Sequence, residues 1–429
     1  MSKTVNIEVP ILARVEGEGA LQLKIREGEI EQLALRIYEP PRFFEKFLEG
    51  RSVEDLPEMV ARICGICPVA YQMSALIAVE KLFEVEVSGW VKSMRRLFYC
   101  GEWIQSHSLH IHLLAAPDFF GYNSAIEMAK EFPDEVRRGL QLQGIGNKII
   151  ELLGGRSVHP VGAKIGGFHR APKQEEVDEL YAEIKVGIGE AEDLLRWLNT
   201  IELPKEEQMF TSVALREQQH YSIFGDKIVS DQGLDISIDE YESHFSEFQV
   251  PHSTALHSHL EGAPYLVGPL ARMNLNFDQL PARLHDLCDE LGIHFPSKNM
   301  FHSLLARGVE LVVALYDAEA ILANYQVPEQ SSVPYTPKAG VAYGATCAPR
   351  GLLWHRYEIS AEGEIVSANI VPPTSQNQAR IEEDLHNSLT HFGLTQTEDE
   401  IRLHGEQVIR NYDPCISCAT HFLKLKVDR

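Results

Sequence analysis

Two short stretches decide how this chain is read: Arg62-Ile63-Cys64-Gly65-Ile66-Cys67-Pro68 and Asp413-Pro414-Cys415-Ile416-Ser417-Cys418-Ala419-Thr420-His421. Each carries two cysteines separated by two residues, a spacing that lets both thiolates face one point from a single turn. One such pair also reads as a redox disulfide or as half of a zinc site. Two pairs near opposite ends of a 429-residue chain make a four-cysteine constellation only if the fold joins those ends. On spacing alone a four-cysteine zinc site stays open. Against it, zinc ribbons close over about 15–20 residues, and a chain of this size needs no metal to complete its core. Arg62 and Asp413 also flank the pairs, as charged groups near a reactive or anionic centre do.

The composition is 44% hydrophobic and 24% charged, a globular balance that excludes a disordered chain, a collagen or a coiled coil. Lys plus Arg number 39 against 62 Asp plus Glu, for a net charge of −23, which argues against nucleic acid and anionic membrane as partners. Seven cysteines are too few for a disulfide scaffold, and the odd count forbids full pairing. The expectation is a reducing, cytoplasmic setting. Residues 1–20 lack the apolar core of a signal peptide. No run of about 18 uncharged apolar residues predicts a membrane span.

The patterning predicts an α+β fold, mainly helical, with strand hairpins from both terminal regions. Leu21, Leu23 and Ile25 alternate before the turn Glu27-Gly28-Glu29, and Leu33, Leu35 and Ile37 alternate after it. Helical spacing covers 75–85, 91–116, 134–154, 173–199, 276–292 and 299–325. A strand follows at 341–346, a hairpin at 352–371 turns through Glu362-Gly363, and helices at 376–393 and 398–412 close the pattern. Only 200–206 and 328–340 read as soft segments. Residues 1–429 are expected to form a single interwoven domain whose ends converge on the cysteines.

With these residues in view, the chain resembles the large, catalytic subunit of nickel–iron hydrogenases. That family carries an R-x-C-G-x-C motif near its start and D-P-C-x-x-C-x-x-H near its end. Arg14-Val15-Glu16-Gly17, Arg42-Phe43-Phe44-Glu45, Val267-Gly268-Pro269-Leu270-Ala271-Arg272, Ala348-Pro349-Arg350-Gly351 and Pro373-Thr374 with Asn377 extend the likeness over almost the whole chain. The Val267–Arg272 segment and Ser106-His107 look most like the cytoplasmic branch coupled to NAD(P) or similar carriers.

The resemblance implies a Ni–Fe centre with CO and CN on iron, catalysing reversible H2 oxidation and proton reduction by heterolytic cleavage. Cys64 and Cys415 are then terminal nickel ligands, and Cys67 and Cys418 bridge the two metals. Soft thiolates suit such ions. Cys415 and Glu16 receive and relay the proton. Pro349 and Arg350 face the diatomic ligands, with Asp413 as partner to Arg350. Glu45, the Ile370 carbonyl and His421 match a second site, for Mg2+ or Fe2+. From the residues alone, Glu16 reads first as a solvated turn carboxylate and Arg350 as a surface arginine; it is the resemblance that reverses both readings.

Three positions depart from the family pattern. Tyr71 stands where a histidine is usual, Cys347 replaces a carboxylate, and Ser106 replaces an acid. Cys100 and Cys288 read as core packing. His107, His110 and His112 read as core or interface histidines, with a zinc site as the sharper alternative. Gly154-Gly155, His159 and Gly166-Gly167-Phe168-His169 resemble the family's face toward an iron–sulfur subunit. Gly144-Ile145-Gly146 is a poor dinucleotide fingerprint and no P-loop is present. The chain is therefore expected to hold no nucleotide and no iron–sulfur cluster. Its electrons are expected to pass to an iron–sulfur small subunit and on to flavin or NAD(P)-reductase subunits. The eight residues after His421 are expected to fold against the protein near Glu45, unless a protease removes them.

Overall fold

The alternation of Leu21, Leu23 and Ile25 places those side chains on one buried face of a three-stranded antiparallel sheet. Its strands are β1 (Thr4–Val9), β2 (Gly19–Arg26) and β3 (Glu29–Ile37), with Leu21 opposite Leu35 and Leu23 opposite Leu33. The structure is a computed structural model that describes residues 4–217 and 220–420. His421 and the residues after it, with the expectation for them, lie outside the described residues.

Four long helices form the body: α1 (Pro68–Leu82), α2 (Gly89–Leu109), α3 (Pro133–Gly154) and α4 (Gln174–Leu198). Helix α2 runs through the middle and is buried along most of its length, charged residues Arg95 and Glu102 included. Beyond it the chain passes through a turn of π-helix, His110–Ala115. The predicted helix at 75–85 begins earlier, at Pro68. Its first free N–H groups, on Val69 and Ala70, are satisfied by the Glu102 carboxylate of α2 at 2.6 and 3.1 Å.

The middle of the chain departs most from expectation. Short strands β4 (Val213–Arg216), β5 (Lys227–Ser230) and β6 (Asp235–Ser237) form one small sheet, and β7 (Phe245–Phe248) pairs with β8 (His257–Leu260). Of the helix expected over 276–292, only α6 (Ala282–Leu291) forms, starting after Pro281; α5 (Pro269–Asn276), which the pattern did not predict, ends where the expected span begins. The buried helix α7 (Ser303–Ala323) follows.

The C-terminal hairpin is a three-stranded sheet of β9 (Gly340–Ala348), β10 (Gly351–Ile359) and β11 (Ile365–Val371). Helices α8 (Pro373–Phe392) and α9 (Glu398–Tyr412) complete the pattern, α9 over the predicted residues. Thr397 and Glu400 form a reciprocal cap at its start. The two ends of the chain then meet: Glu16 and Cys415 form a parallel backbone bridge. No helix among the described residues is long and apolar enough to cross a membrane.

Candidate metal centre

The first cysteine turn is held from two sides. Cys67 caps α1, with Pro68 at its first position, so the chain leaves the turn at a fixed angle. Gln105 of α2 donates to the Ile66 carbonyl at 2.6 Å, and the Ile66 and Cys67 N–H groups point at the Cys64 sulfur at 3.3 and 3.4 Å. The second turn starts where Asp413, at φ 57°, ends α9 in the left-handed region. Thr374, in the first turn of α8, accepts the Cys415 N–H at 3.0 Å, and the Ile416 N–H bonds to the Glu16 carbonyl at 3.0 Å.

These contacts bring all four sulfurs within 4.8 Å of one another. Cys64 and Cys415 are 3.3 Å apart, Cys67 and Cys418 3.5 Å, and Cys415 and Cys418 3.0 Å. All seven cysteines of the chain are buried thiols. Four thiolates this close and this dry repel strongly unless cations sit among them. Hydrogen bonds from Cys415 and Cys418 hold Cys64 well below the usual thiol range, while the same crowding pushes Cys415 well above it. The donor set suits soft, thiophilic metals and is a poor one for Mg2+ or Ca2+.

Glu16 is half-buried and its Oε2 lies 3.1 Å from the Cys415 sulfur. The Ser417 N–H donates to the same oxygen at 3.0 Å and fixes its position. Arg350 occupies a two-residue turn with Pro349 between β9 and β10, where Ala348 pairs with Gly351. That turn is pressed against the Val267-Gly268 backbone. A Cβ on Gly351 would sit 2.6 Å from Val267 and 2.8 Å from the Gly268 nitrogen, and φ there is 138°, so glycine is required. Arg272 locks the turn from behind by donating to the Ala348 and Pro349 carbonyls at 2.7 and 2.9 Å.

The Arg350 guanidinium donates to the Asp413 carbonyl at 2.8 Å, to its carboxylate at 3.1 Å and to Ser106 at 3.3 Å. Arg307 adds a second cation 3.4 Å from Asp413. Burial alone would raise the Asp413 carboxyl, but the surrounding cations, Arg350 foremost, outweigh it and hold it below the usual range. Tyr71 is fully buried near the Cys418 and Cys67 sulfurs, and burial together with those sulfurs pushes its phenol well above its ordinary value.

Arg62, which flanks the first cysteine pair in sequence, is exposed. The residue that ties the two motifs together is Arg42, which donates to the Ile63 carbonyl at 2.7 Å and also to the Ser417 carbonyl. The three clustered histidines point apart. His107 lies 2.9 Å from Glu310, itself paired with Arg272; His110 bonds to the Arg410 carbonyl; His112 bonds to the Ser108 carbonyl and stacks on Trp197. Glu45 accepts the Ile370 N–H at 2.8 Å, so these two distant positions do meet. Glu102 and Glu310 were not singled out from the sequence, since neither sits in a recognisable motif.

The two chain ends thus close on a buried four-cysteine pocket with the Glu16 carboxylate against it, a donor set suited to soft metal ions. Residues 42–138 and 257–421 match the model of the nickel-dependent hydrogenase family. The sulfhydrogenase 1 subunit alpha of Pyrococcus furiosus is 31% identical over 98% of this chain and 100% of that one. The sulfhydrogenase 2 subunit alpha of the same organism is 33% identical, again over 98% and 100%. Among solved structures, an NAD+-reducing NiFe hydrogenase in the H2-reduced state superposes with a TM-score of 0.89 at 25% identity, covering 98% of this chain and 99% of that one. The Ni-Fe-Se hydrogenase from D. vulgaris Hildenborough shares the fold, with a TM-score of 0.83 at 23% identity over 98% and 100%. The chain belongs to the nickel-dependent hydrogenase family, as a large, catalytic subunit. It is an oxidoreductase acting on H2.

Proposed function

We propose that Cys64 and Cys415 hold nickel terminally, that Cys67 and Cys418 bridge it to an iron carrying CO and CN, and that Glu16 is the first proton carrier. The observation that supports this most is the 3.1 Å contact between Glu16 and the sulfur of Cys415, inside a cluster of four sulfurs. When bound, such a metal pair supplies the Lewis acid that polarises H2 and the redox couple that takes its electrons. The protein's own part is to hold and move the proton. Cys415 receives it at sulfur, and Glu16 Oε2, kept in line by the Ser417 N–H, takes it on. Arg350 cannot deprotonate and serves as a fixed donor toward iron-bound CN, with Pro349 beside it; Asp413 holds its fork in place.

Two electrons must leave for each H2 oxidised. Gly65 is exposed in the first cysteine turn, and His159 lies next to it, bonded to the Ala61 carbonyl at 2.8 Å. This exposed surface beside Cys64 and Cys67 is the proposed dock for an iron–sulfur small subunit. The likeness to an NAD+-reducing enzyme supports flavin or NAD(P)-reductase subunits beyond it, and a cytoplasmic setting. Glu45, the Ile370 main chain and His421 are the proposed ligands of a second, redox-inert ion, Mg2+ or Fe2+. The whole chain is proposed to act as one interwoven domain. The test is H2-dependent dye reduction by the purified complex alongside its nickel and iron content. Turnover that survives Cys67→Ala would overturn the assignment.

A further inference from the structure

Outside the cysteine centre, the described residues hold one other group of side chains able to converge on a metal ion: His252, His257 and Glu382, whose ligand atoms lie within 4.8 Å of one another. Three segments supply them. His252 lies in the loop between β7 and β8, His257 begins β8, and Glu382 lies in the middle of α8. Glu382 uses both oxygens. Its Oε1 is 2.8 Å from Nε2 of His252, and its Oε2 is 3.4 Å from Nε2 of His257. The Leu35 N–H of edge strand β3 donates to Oε1 at 2.9 Å, so the carboxylate is oriented by the backbone, as ligating carboxylates usually are. Thr254, two residues after His252, is bonded through its N–H to the Ile37 carbonyl at 2.9 Å, which pins the loop to the same strand.

His257 is the decisive residue. It is 2% exposed, and neither ring nitrogen has a hydrogen-bond partner. A buried imidazole left this way costs free energy unless something else engages it. Its Nε2 faces a carboxylate oxygen too far away for a good hydrogen bond, yet at a suitable distance for two ligands of one ion. Bonds of about 2.0–2.1 Å in a tetrahedral zinc site put the ligand atoms roughly 3.3 Å apart.

We propose that His252, His257 and Glu382 bind one Zn2+ ion, with water completing the coordination. Two imidazoles and one carboxylate favour Zn2+ over Mg2+ or Ca2+, which prefer all-oxygen sets. The ion ties β8 and its preceding loop to α8. That helix also presents Thr374 to the Cys415 N–H, so the zinc braces an element that positions the cysteine centre. This inference does not depend on how the cysteine centre works.

The test uses the purified full-length chain in its complex. After dialysis against a mild chelator it is titrated with Zn2+ alone, and metals are counted by mass spectrometry. One zinc per chain is expected beyond the nickel and iron. His257→Ala and Glu382→Gln should each weaken its binding at least tenfold while leaving nickel content unchanged. X-ray absorption at the zinc edge should report nitrogen and oxygen neighbours, imidazole among them. Equal zinc in wild type and variants, no zinc in the wild type, or sulfur around the zinc would each overturn the proposal. If Glu382→Gln also loses nickel, His252→Asn in the half-buried loop carries the same comparison.

Discussion

Glu16→Gln is the sharpest perturbation of the proposed proton path. The carboxylate Oε2 has two neighbours: the Cys415 sulfur at 3.1 Å and the Ser417 N–H at 3.0 Å. A glutamine can offer its amide oxygen to the Ser417 N–H and keep that contact, so the turn and its metals should be retained. What it cannot do is accept a proton from sulfur. The other charged side chain at the cluster, Arg350, is a permanent cation and cannot substitute. A positioned base contributes about 10²–10⁴ to rate, so H2/D2 exchange should fall by that factor, roughly 3–5 kcal/mol of barrier. Glu16→Asp keeps an acceptor but withdraws it by one methylene, and a misplacement of about 1 Å costs about 10²-fold. The assay is isotope exchange by the purified complex, normalised to bound nickel. Wild-type exchange by a fully nickel-loaded Glu16→Gln enzyme would refute the reasoning and move the relay elsewhere.

Cys418→Ala should abolish retention of both metals, because this sulfur bridges in the proposed centre; nickel and iron analysis of the purified variant decides it. Arg350→Lys keeps the charge but cannot span both the Asp413 carbonyl and its carboxylate; turnover should drop at least tenfold with nickel retained, and unchanged turnover would count against the role of the fork. The histidines His107, His110 and His112 are held neutral by burial, with pKa values lowered to about 4, about 3 and about 4. The unfolded chain protonates them near pH ~6.5, so stability should fall as pH drops below that value and continue falling toward the folded values. By pH ~5.5 the loss is roughly 1 kcal/mol for each, and a melting temperature that stays flat over that window would contradict it.

The parts of the fold legible in the sequence are those whose signal is local. Strand β2 alternates through Leu21, Leu23 and Ile25, and the turns at Gly28 and Gly363 mark their hairpins at positive φ. Helix α9 carries its own cap in Thr397 and Glu400. The strands β4 to β8 were not legible because each has only three or four residues, too few for a period-two pattern to stand out. The start of α1 is less legible because the carboxylate that satisfies its first free N–H groups, Glu102, comes from another helix.

The candidate site divides the same way. Two cysteine pairs are visible as spacing, but the chemistry of Glu16 is not, because a carboxylate between glycine and valine carries no signal until the fold sets it against Cys415. Resemblance supplied that reading, and it supplied Arg350 too. Arg62 was singled out for its nearness in sequence and proved exposed, whereas Arg42, distant from both motifs, bridges their backbones. Adjacency along the chain says little about which face of a turn a side chain takes.

The central claim is that Cys64, Cys67, Cys415 and Cys418 together hold a nickel–iron centre. Metal analysis of the purified complex, read beside its infrared spectrum, tests it most directly. The account predicts about one nickel per chain, the count that four thiolates shared by two metals allow, with infrared bands from CO and CN on iron. All of these should vanish in Cys67→Ala. Zinc at the four cysteines, with neither nickel nor those bands, would contradict it.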